Sequence, residues 1–595
     1  MSKNLYYANT EAKGGFWKYY TDLVRNVTVR SVYERFLETG RFDAFKCDWK
    51  EGDPNQPHIY WDSDIYKWIE GVAYLTEVNR EPELEKIVDG VADLIEKNQR
   101  KDGYYNSYFL TIAPDKVFTM RSEHELYCTG HLIEAAIAYK NATGKDKLYN
   151  CMLRNVDCIY RIFLEEGSAG FVTPGHEEIE LALLKLYGHT GEKKYLELAR
   201  FFLDNRGNND REFGYSQDQD DVPIRQLPEA LGHAVRANYL YTAMAMMVAL
   251  ENEPEMKEAC HRLMDNMLTA KMSITGGVGS NDVGERFSYN YDLPNMSTYN
   301  ETCAAIALSM FAGEMQLTEV SSRYGDLIER IWFNGFISGL SLSGDKFFYT
   351  NPLEIDLRKY DRGEGYQAPC ERVKVFSCSC CPPNIVRMLA SFARYMYTVD
   401  GDTVYCNQFA DCETKLTVGG KPATLRQKTA YPSDGKILFE YSGEPLSLFV
   451  RVPEWCTEFK GETENGFLKF ELNDGESVSV EFPMSIRFIE ANPNVRENCG
   501  RYAVTRGPIV YCMEGIDNGV NLSDITIIEN GSFEVVNEEG IPAPVIYADA
   551  ERRKEATSLY RAKNDERESF RARLIPYFAF ANREKSDMLV WTMVK

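Results

Sequence analysis

The stretch LIEAAIAYKNATGKDKLYNCMLRNVDCIYRI, residues 132–162, carries the pattern that decides the fold of the N-terminal part of this chain. Apolar residues recur at helical spacing over 132–139 and again over 148–162. The short polar turn Thr143-Gly144-Lys145 lies between the two runs. The stretch therefore predicts two helices that fold back on each other as a hairpin.

Helical hairpins of this kind repeat along the N-terminal part. Further pairs of apolar runs with the same design are 68–78 with 83–97, 179–186 with 195–203, 234–250 with 256–268, and 304–315 with 324–336. A repeat of helical hairpins predicts either a solenoid or a closed ring of hairpins. The longer inserts between the pairs would gather on one face, which is where binding and catalytic residues usually lie.

Beyond about residue 400 the apolar pattern changes from a helical period to alternation. Alternating runs such as 415–418, 436–441, 446–452 and 477–482 are separated by turn signals, which predicts an antiparallel sandwich. A second β block lies at 502–513 and 543–547, whereas residues 515–570 are too weakly patterned to assign. We expect a helical domain over residues 1–398, a β-sandwich over 399–500 and a second β-sandwich over 501–595.

The charge of the chain limits its partners. Acidic residues outnumber basic ones by 90 to 67 in 595 residues, and the formal net charge is −23 at pH 7. Such a charge repels phosphate backbones and anionic lipid, so we expect neither a nucleic acid nor a membrane partner. The 37 tyrosines offer flat apolar faces edged by hydroxyl groups, which suits a neutral ligand such as a sugar.

The N-terminal sequence and the cysteines indicate the compartment. No apolar segment follows a basic start, so no secretory signal is visible. Residues 237–250, an uncharged stretch that no other in the sequence exceeds in length, are too few to cross a bilayer. We therefore expect a cytoplasmic protein whose 15 cysteines are reduced.

Two cysteine motifs differ from the cysteines scattered elsewhere. Cys380 and Cys381 lie in SCSCCPPN, residues 377–384, just before a predicted helix. Glu301 and Cys303 lie in YNETC, residues 299–303, at the start of another. Three thiolates and one carboxylate match the ligand number and chemistry of tetrahedral zinc. The sequence therefore predicts a metal site.

Two interpretations of this metal site are open. Four protein ligands are typical of a closed structural zinc site. Structural zinc usually joins small modules, however, whereas Cys303 lies 77 residues before Cys380 in a large helical domain that can bury a core unaided. We favour a reactive site, and a reactive site needs a partner acid.

A partner acid is available in TGGVGSNDVGERF, residues 275–287. The glycines alone would suggest a phosphate-binding loop, but no strand precedes them and no Lys-Ser or Lys-Thr pair follows. We expect instead a glycine-rich loop that presents Glu285 in a pocket.

Several motifs together resemble glycoside hydrolase family 127, the zinc-dependent β-L-arabinofuranosidases. They are WIEG at 68–71, HELYCTGH at 124–131, GHEEIE at 175–180, GHAVR at 232–236, GERF at 284–287, ETC at 301–303 and CCPPN at 380–384. The resemblance covers at least residues 60–400. It implies an (α/α)6 barrel catalytic domain followed by two C-terminal antiparallel β-sandwich domains, in agreement with the hairpins and with the change near residue 400.

The same resemblance implies roles for individual residues. Cys380 would be the nucleophile and Glu285 the general acid/base, while Glu301, Cys303, Cys380 and Cys381 would hold Zn²⁺. The implied contacts to sugar hydroxyl groups are His131, His176, His233 and Tyr349. The implied function is a retaining exo-glycoside hydrolase that releases L-arabinose from non-reducing-end β-L-arabinofuranosides. Its partner would be a small oligosaccharide or glycoside.

Other functions and roles stay open at this point. A hydrolase of another furanoside, such as a branched acidic pentose, would need an arginine in the pocket, and Arg236 and Arg286 lie near the motifs. A non-catalytic sugar-binding protein with structural zinc would need no acid, so Glu285 weighs against it. Trp61 would stack on a sugar or close the barrel, and Cys378 has no assigned role. The sandwich domains are candidates for binding carbohydrate or for joining two chains into a homodimer.

Overall fold

A computed structural model describes residues 6–208, 217–361, 370–554, 558–564 and 566–595. Its N-terminal part is built from pairs of helices joined by short turns. The pairs are Trp61–Val78 with Pro82–Asn98, Glu125–Thr143 with Lys147–Tyr160, Ile179–Thr190 with Lys193–Asn205, Ala234–Glu251 with Pro254–Asn266, and Thr302–Thr318 with Ser322–Arg330. The hairpins predicted from the apolar period are confirmed.

The first helix of each pair is enclosed by other elements. Nearly every residue of Thr302–Thr318 is buried, for example, whereas the second helices expose one polar face. The enclosed helices contact one another in circular order, and Cys381–Ser391 completes the circle between Thr302–Thr318 and Trp61–Val78. Within the described residues these six are called the central helices. Gly15–Leu23 and Val29–Glu38 pack against Cys381–Ser391.

The connections between the pairs collect at one end of the circle. Each connection leads from the second helix of one pair to the N-terminus of the next central helix, as expected for the inserts. Short elements in the helical part include the helices Ser107–Thr111 and Leu357–Asp361 and the π-helical turns Val24–Thr28, Arg161–Glu165, Met267–Lys271 and Ile331–Phe336. No helix in the described ranges is both long enough and apolar enough to span a membrane.

Two five-stranded sheets lie after the helices in the described part of the chain. One has the order Tyr6–Tyr7, Tyr397–Asp400, Thr403–Cys406, Leu446–Arg451, Phe467–Leu472, and the other Ser477–Glu481, Lys436–Ser442, Lys421–Thr429, Cys412–Val418, Asn9–Ala12. Buried and more exposed residues alternate along Cys412–Val418 and Lys436–Ser442, as the period of two predicts. Strands from before the first helix also join these sheets.

The C-terminal strands form a ten-stranded sheet among the described residues. Its order is Ile486–Glu490, Tyr502–Arg506, Trp591–Val594, Thr526–Ile527, Val545–Arg553, Arg567–Pro576, Ile509–Glu514, Met588–Leu589, Glu354–Ile355, and Phe533–Val536 pairs with Val545–Arg553. Residues 515–570 contribute short strands such as Thr526–Ile527. Strands of two to four residues are too short to give a clear alternating pattern, which explains why this region could not be assigned.

Two of the described strand pairs are parallel, which differs from the antiparallel pairing expected from the sequence. Thr403–Cys406 pairs with Leu446–Arg451, and Thr526–Ile527 pairs with Trp591–Val594. In the first case the chain crosses to the other sheet, forms three strands there, and returns in its original direction. Parallel neighbours need such a crossover, and alternation along one strand does not reveal it.

A buried ion pair joins the helices to the first β sheets. Arg451 is fully buried in strand Leu446–Arg451, with Nη1 2.5 Å from Asp326 Oδ1 and Nη2 2.6 Å from Glu329 Oε1. Asp326 and Glu329 both lie in Ser322–Arg330. Loss of one partner would leave an uncompensated buried charge, so the three side chains fix how the two parts meet.

Candidate active site

A cavity of about 350 Å³ lies where the central helices begin. The residues directly before these helices are Tyr60, His124, Glu178, His233, Glu301 and Cys380. All of them except Glu178 line the cavity. Helix N-termini carry a partial positive charge, which favours carboxylates and thiolates at this end. The fold therefore brings together polar groups from widely separated parts of the sequence.

Glu301, Cys303, Cys380 and Cys381 form one cluster beside the cavity. The sulfur of Cys303 lies 3.2 Å from that of Cys381 and 3.6 Å from that of Cys380, and the sulfurs of Cys380 and Cys381 are 3.8 Å apart. Glu301 Oε1 lies 3.5 Å from Cys380 Sγ and 3.7 Å from Cys381 Sγ. Two helix starts thus place four candidate ligands around one point.

The cluster fits a tetrahedral metal ion. A tetrahedral metal with metal–sulfur bonds of about 2.3 Å places its sulfur ligands about 3.8 Å apart, close to the separations seen here. Glu301 Oε2 is buried and accepts no hydrogen bond from the described residues. Burial and the neighbouring Cys380 raise the pKa of Glu301 well above its usual value, and burial also raises the pKa of Cys381. A bound cation would relieve this crowding of acidic groups.

The glycine-rich loop holds Glu285 against the start of helix Ala234–Glu251. The Glu285 backbone has a φ of 52°, which is unusual for a residue other than glycine, and its carbonyl accepts a hydrogen bond from Ala234 N–H at 3.0 Å. At Gly284, with a φ of 78°, a Cβ atom would lie 2.3 Å from Gln217 Nε2. Glycine at this position allows the close approach, and Glu285 lines the cavity.

Two donors hold the Glu285 carboxylate. Tyr299 donates its hydroxyl proton to Oε1 at 2.6 Å, and His233 Nε2 lies 2.7 Å from Oε2. The backbone N–H groups of Val235 and Arg236 donate to His233 Nδ1 at 3.2 and 3.5 Å, so the neutral ring carries its proton on Nε2. The helix start thereby sets the tautomer that donates to Glu285.

These donors decide the protonation state of Glu285. Burial acts to raise its pKa, but the hydrogen bonds from His233 and Tyr299 and the charge of Arg236 outweigh burial, and the pKa lies below its usual value. A cavity-lining carboxyl group fixed by two donors has the placement that general acid/base catalysis requires.

Three of the described histidines lie side by side along the cavity. The ring centroids of His124 and His176 are 5.7 Å apart, and those of His176 and His233 are 5.6 Å apart. His124 Nδ1 donates to Ser122 O and His176 Nδ1 to Glu177 O, both at 2.8 Å. Burial lowers the pKa of all three, that of His124 to about 3. His124 and His176 are therefore neutral and keep Nε2 as an acceptor, which suits the hydroxyl groups of a sugar.

Comparison with known proteins identifies the family. Residues 10–394 match the beta-L-arabinofuranosidase GH127 catalytic domain, residues 403–484 match the GH127 middle domain, and residues 486–593 match the glycoside hydrolase family 127 C-terminal domain. The chain belongs to glycoside hydrolase family 127.

Individual family 127 proteins match nearly the whole chain. A non-reducing end beta-L-arabinofuranosidase of Bifidobacterium longum subsp. longum is 34% identical over 591 residues, covering 90% of this chain and 89% of the relative. The crystal structure of a GH127 beta-L-arabinofuranosidase from Geobacillus stearothermophilus T6 has a TM-score of 0.93 at 37% identity, covering 99% of this chain and 100% of that chain. A second solved structure, a GH127 beta-arabinofuranosidase, has a TM-score of 0.91 at 32% identity, covering 100% of this chain and 98% of that chain. The family predicted from the motifs is confirmed, and with it a glycoside hydrolase.

Most of the site residues predicted from the family 127 resemblance reach the cavity. Those that line it are His176, His233, Glu285, Glu301, Cys303, Tyr349 and Cys380. Cys381 is buried behind them in contact with Cys303. His131 is not brought to the cavity, because it lies about 9 Å along the helix from the start of Glu125–Thr143. Its ring is fully buried, with Nδ1 3.1 Å from Glu178 Oε1, so its position does not support a sugar contact.

The sequence interpretation expected His131 to line the cavity, but it is His124 that lines it. Both histidines belong to the HELYCTGH motif, but His124 directly precedes the helix and His131 lies inside it. Glu301 and Cys380 also directly precede their helices, so this rule would have selected His124. Tyr299 was missed as well, although it stands two residues before Glu301.

The arginines that would favour an acidic sugar are differently placed. Arg236 lines the cavity, but its Nη1 donates to Asp218 Oδ1 and to Gly175 O, so a substrate carboxylate would compete with a carboxylate already in place. Arg286 does not appear among the residues that line the cavity in the described part of the chain. These contacts do not favour an acidic pentose.

Cys378 and Trp61 can now be placed. Cys378 lines the cavity, and its sulfur lies 3.8 Å from the Tyr349 hydroxyl oxygen, which is itself 3.2 Å from Cys380 Sγ. The ring of Trp61 lies 5.1 Å from the guanidinium carbon of Arg41. Trp61 thus stacks on a buried arginine, and it is not among the described residues that line the cavity.

Proposed function

We propose that this protein is a retaining, exo-acting β-L-arabinofuranosidase that releases L-arabinose from the non-reducing end of a small oligosaccharide or glycoside. The observation that carries the proposal is that Glu285 and Cys380 line one cavity in a chain that matches relatives with this named activity along nearly its whole length. A cavity of about 350 Å³ is near the lower end of ligand pockets, which suits a single terminal sugar.

We also propose that the helical part is an (α/α)6 barrel followed by two β-sandwiches. The sequence places this part at residues 1–398, but Tyr6–Tyr7, Asn9–Ala12 and Tyr397–Asp400 pair within the five-stranded sheets, so we propose that the barrel spans residues 15–395. The circular contacts of the central helices support the barrel, and the two five-stranded sheets support the first sandwich. The sequence places the next boundary at residue 500, but Ile486–Glu490 pairs with Tyr502–Arg506 in the C-terminal sheet. We therefore propose a boundary between residues 484 and 486, where the family matches also divide.

We propose that Glu301, Cys303, Cys380 and Cys381 hold Zn²⁺. Thiolates are soft ligands that select zinc over magnesium or calcium. Zinc bound there would keep the thiols deprotonated at neutral pH. Cys303 and Cys381 are buried and serve as ligands only, whereas the more exposed Cys380 is also the nucleophile.

The reaction then proceeds in two displacements. Cys380 Sγ attacks the anomeric carbon while Glu285 gives its proton to the departing glycosidic oxygen, which forms a carbon–sulfur bond and releases the aglycone alcohol. The Glu285 carboxylate next takes a proton from water, the water oxygen attacks the anomeric carbon, and Cys380 leaves as a thiolate. Two inversions retain the configuration of the sugar.

The remaining cavity residues position the reactants. His233 and Tyr299 fix the orientation of the Glu285 carboxylate. His124 and His176 accept hydrogen bonds from sugar hydroxyl groups through Nε2. The Tyr349 hydroxyl, 3.2 Å from Cys380 Sγ, can donate to the thiolate or to a sugar oxygen.

Hydrolysis of synthetic furanosides tests the function. We expect the protein to hydrolyse p-nitrophenyl β-L-arabinofuranoside and not the α anomer, because a retaining site is built around attack from one face. In the presence of methanol, nuclear magnetic resonance should detect methyl β-L-arabinofuranoside as the first product. A methyl α-L-arabinofuranoside product, or no hydrolysis by the zinc-loaded protein, would contradict the proposal.

Removal of the metal tests the cofactor. We expect one zinc ion per chain by elemental analysis, and a chelator should lower activity by about 100-fold or more because the thiols regain their protons. Added zinc should restore the activity. The melting temperature should also fall on chelation, since the three buried ligands and the half-buried Cys380 lose the ion that joins them. A metal-free protein with full activity would end the zinc proposal.

A further inference from the structure

Residues 374–379 lead to Cys380 without regular structure. Before them, the last backbone–backbone hydrogen bonds are those of Val373, and the next are made by the carbonyl of Cys380. Among the described residues outside this segment, one side chain alone donates to its backbone, that of Arg41. Among the described residues, Arg41 thus supplies the side-chain hydrogen bonds that attach the backbone of this segment to the rest of the protein, beside the packing of the Phe376 ring on Tyr349.

All three nitrogen atoms of the Arg41 guanidinium group donate hydrogen bonds. Nη2 donates to the carbonyls of Ser377 at 2.9 Å and Phe376 at 3.2 Å. Nε donates to Asp64 Oδ2 at 2.9 Å, and Nη1 donates to Thr39 Oγ1 at 2.7 Å. Arg41 is only 2% exposed. Hydrogen bonds from a charged donor in such a buried place are stronger than those at a surface.

The anchors of Arg41 lie in the wall of the same cavity. Asp64 belongs to helix Trp61–Val78 and lines the cavity beside Cys378 and Cys380. The guanidinium carbon also lies 5.1 Å from the ring of Trp61. The planar fork therefore joins the irregular segment to a rigid central helix, which a lysine ammonium group could not do with the same geometry.

We propose, on the basis of the function proposed above, that Arg41 is a positioning residue for Cys380. It touches neither the substrate nor the reacting atoms. By holding the carbonyls of Phe376 and Ser377 it fixes where the chain enters Cys380, and hence the line along which the sulfur approaches the anomeric carbon. A nucleophile displaced by about 1 Å can lose about 100-fold in rate.

Arg41→Lys tests this role, with Arg25→Lys as the matched control. Arg25 also joins a carboxylate to two backbone carbonyls, with Nη1 2.5 Å from Glu81 Oε1 and hydrogen bonds to Leu75 O at 2.8 Å and Asn79 O at 3.3 Å. It does so at the opposite end of Trp61–Val78. We expect Arg41→Lys to lower kcat by about 10- to 100-fold with KM within about threefold, at unchanged zinc content. Arg25→Lys should keep the wild-type kcat.

Crystal structures of the variants provide a second measurement that does not depend on activity. In Arg41→Lys the sulfur of Cys380 should move by more than about 0.5 Å relative to Tyr349, whereas Arg25→Lys should superimpose on the wild type. An unmoved sulfur together with kcat within about twofold of wild type overturns the proposal. So does a fall in kcat that Arg25→Lys reproduces.

Two further comparisons keep the test decisive. If Arg41→Lys does not fold, Asp64→Asn is measured in its place. The asparagine side chain keeps the shape of Asp64 but lacks the negative charge that orients Arg41. A fall in kcat of less than about fivefold in Asp64→Asn would then overturn the proposal. If the wild type is inactive on β-L-arabinofuranosides, the proposed function fails, and the position of the sulfur alone decides the role of Arg41. If the wild type is active and Arg41→Lys is normal, only the positioning role fails.

Discussion

Replacing Cys380 with serine is expected to lower kcat for p-nitrophenyl β-L-arabinofuranoside by about 10⁴-fold or more. A serine hydroxyl is not ionised at neutral pH, whereas a zinc ion held by the cluster of Glu301, Cys303, Cys380 and Cys381 would supply Cys380 as a thiolate nucleophile. Initial rates measure the loss. Mass spectrometry of wild type quenched during turnover of a slow substrate should find a glycosyl group on the peptide that contains Cys380.

Two other cysteines separate the nucleophile from the metal ligands. Cys378→Ser is the matched control, since Cys378 stands two residues away and lines the same cavity but lies outside the metal cluster; we expect it to retain most of the activity. Cys303→Ser should lose zinc along with activity, because in the proposed site Cys303 serves only as a ligand. Wild-type rates in Cys380→Ser, or a glycosyl group on another cysteine, would show that Cys380 is not the nucleophile.

The helical part was predictable because its sequence repeats one physical pattern. Apolar residues at helical spacing on either side of Thr143-Gly144-Lys145 can bury their faces only by pairing, and five such pairs imply neighbours on both sides. The cluster of candidate metal ligands was predictable for a related reason. Glu301 and Cys380 each directly precede a helix, and central helices that run in the same direction begin at the same end.

Other features depend on contacts that no local pattern records. His131 shares a motif with His124, but its depth in the helix decides that it meets Glu134 and Glu178 instead of the cavity. The parallel pairing of Thr403–Cys406 depends on a crossover through another sheet. Arg41 is 335 residues from Phe376, and only the folded chain brings it to that carbonyl. When a side chain contacts the backbone of a distant segment, no regular residue spacing in the sequence marks that contact.

Glu285→Gln is expected to lower kcat/KM for an arabinose disaccharide by about 10²- to 10⁴-fold. A sugar alcohol leaves poorly unless its oxygen receives a proton, and an amide cannot supply one. A dinitrophenyl leaving group needs no such proton, so the first displacement on Cys380 should stay fast with that substrate. Stopped-flow absorbance should then show a burst of one dinitrophenolate per chain followed by slow turnover, because the second step lacks its base.

Azide separates the two roles of Glu285. Azide attacks the glycosyl group on Cys380 without giving up a proton, so it should restore turnover of Glu285→Gln and yield β-L-arabinofuranosyl azide. Asp282→Asn is the control, since this acid lies in the same loop and lines the same cavity but does not share the donors that hold Glu285.

Only protonated Glu285 can act as the acid, and its pKa is lowered, so wild-type kcat/KM for the disaccharide should fall as pH rises through that pKa. Glu285→Gln should lack this fall. A variant with no burst, no response to azide and an unchanged pH profile would place the acid/base elsewhere in the cavity.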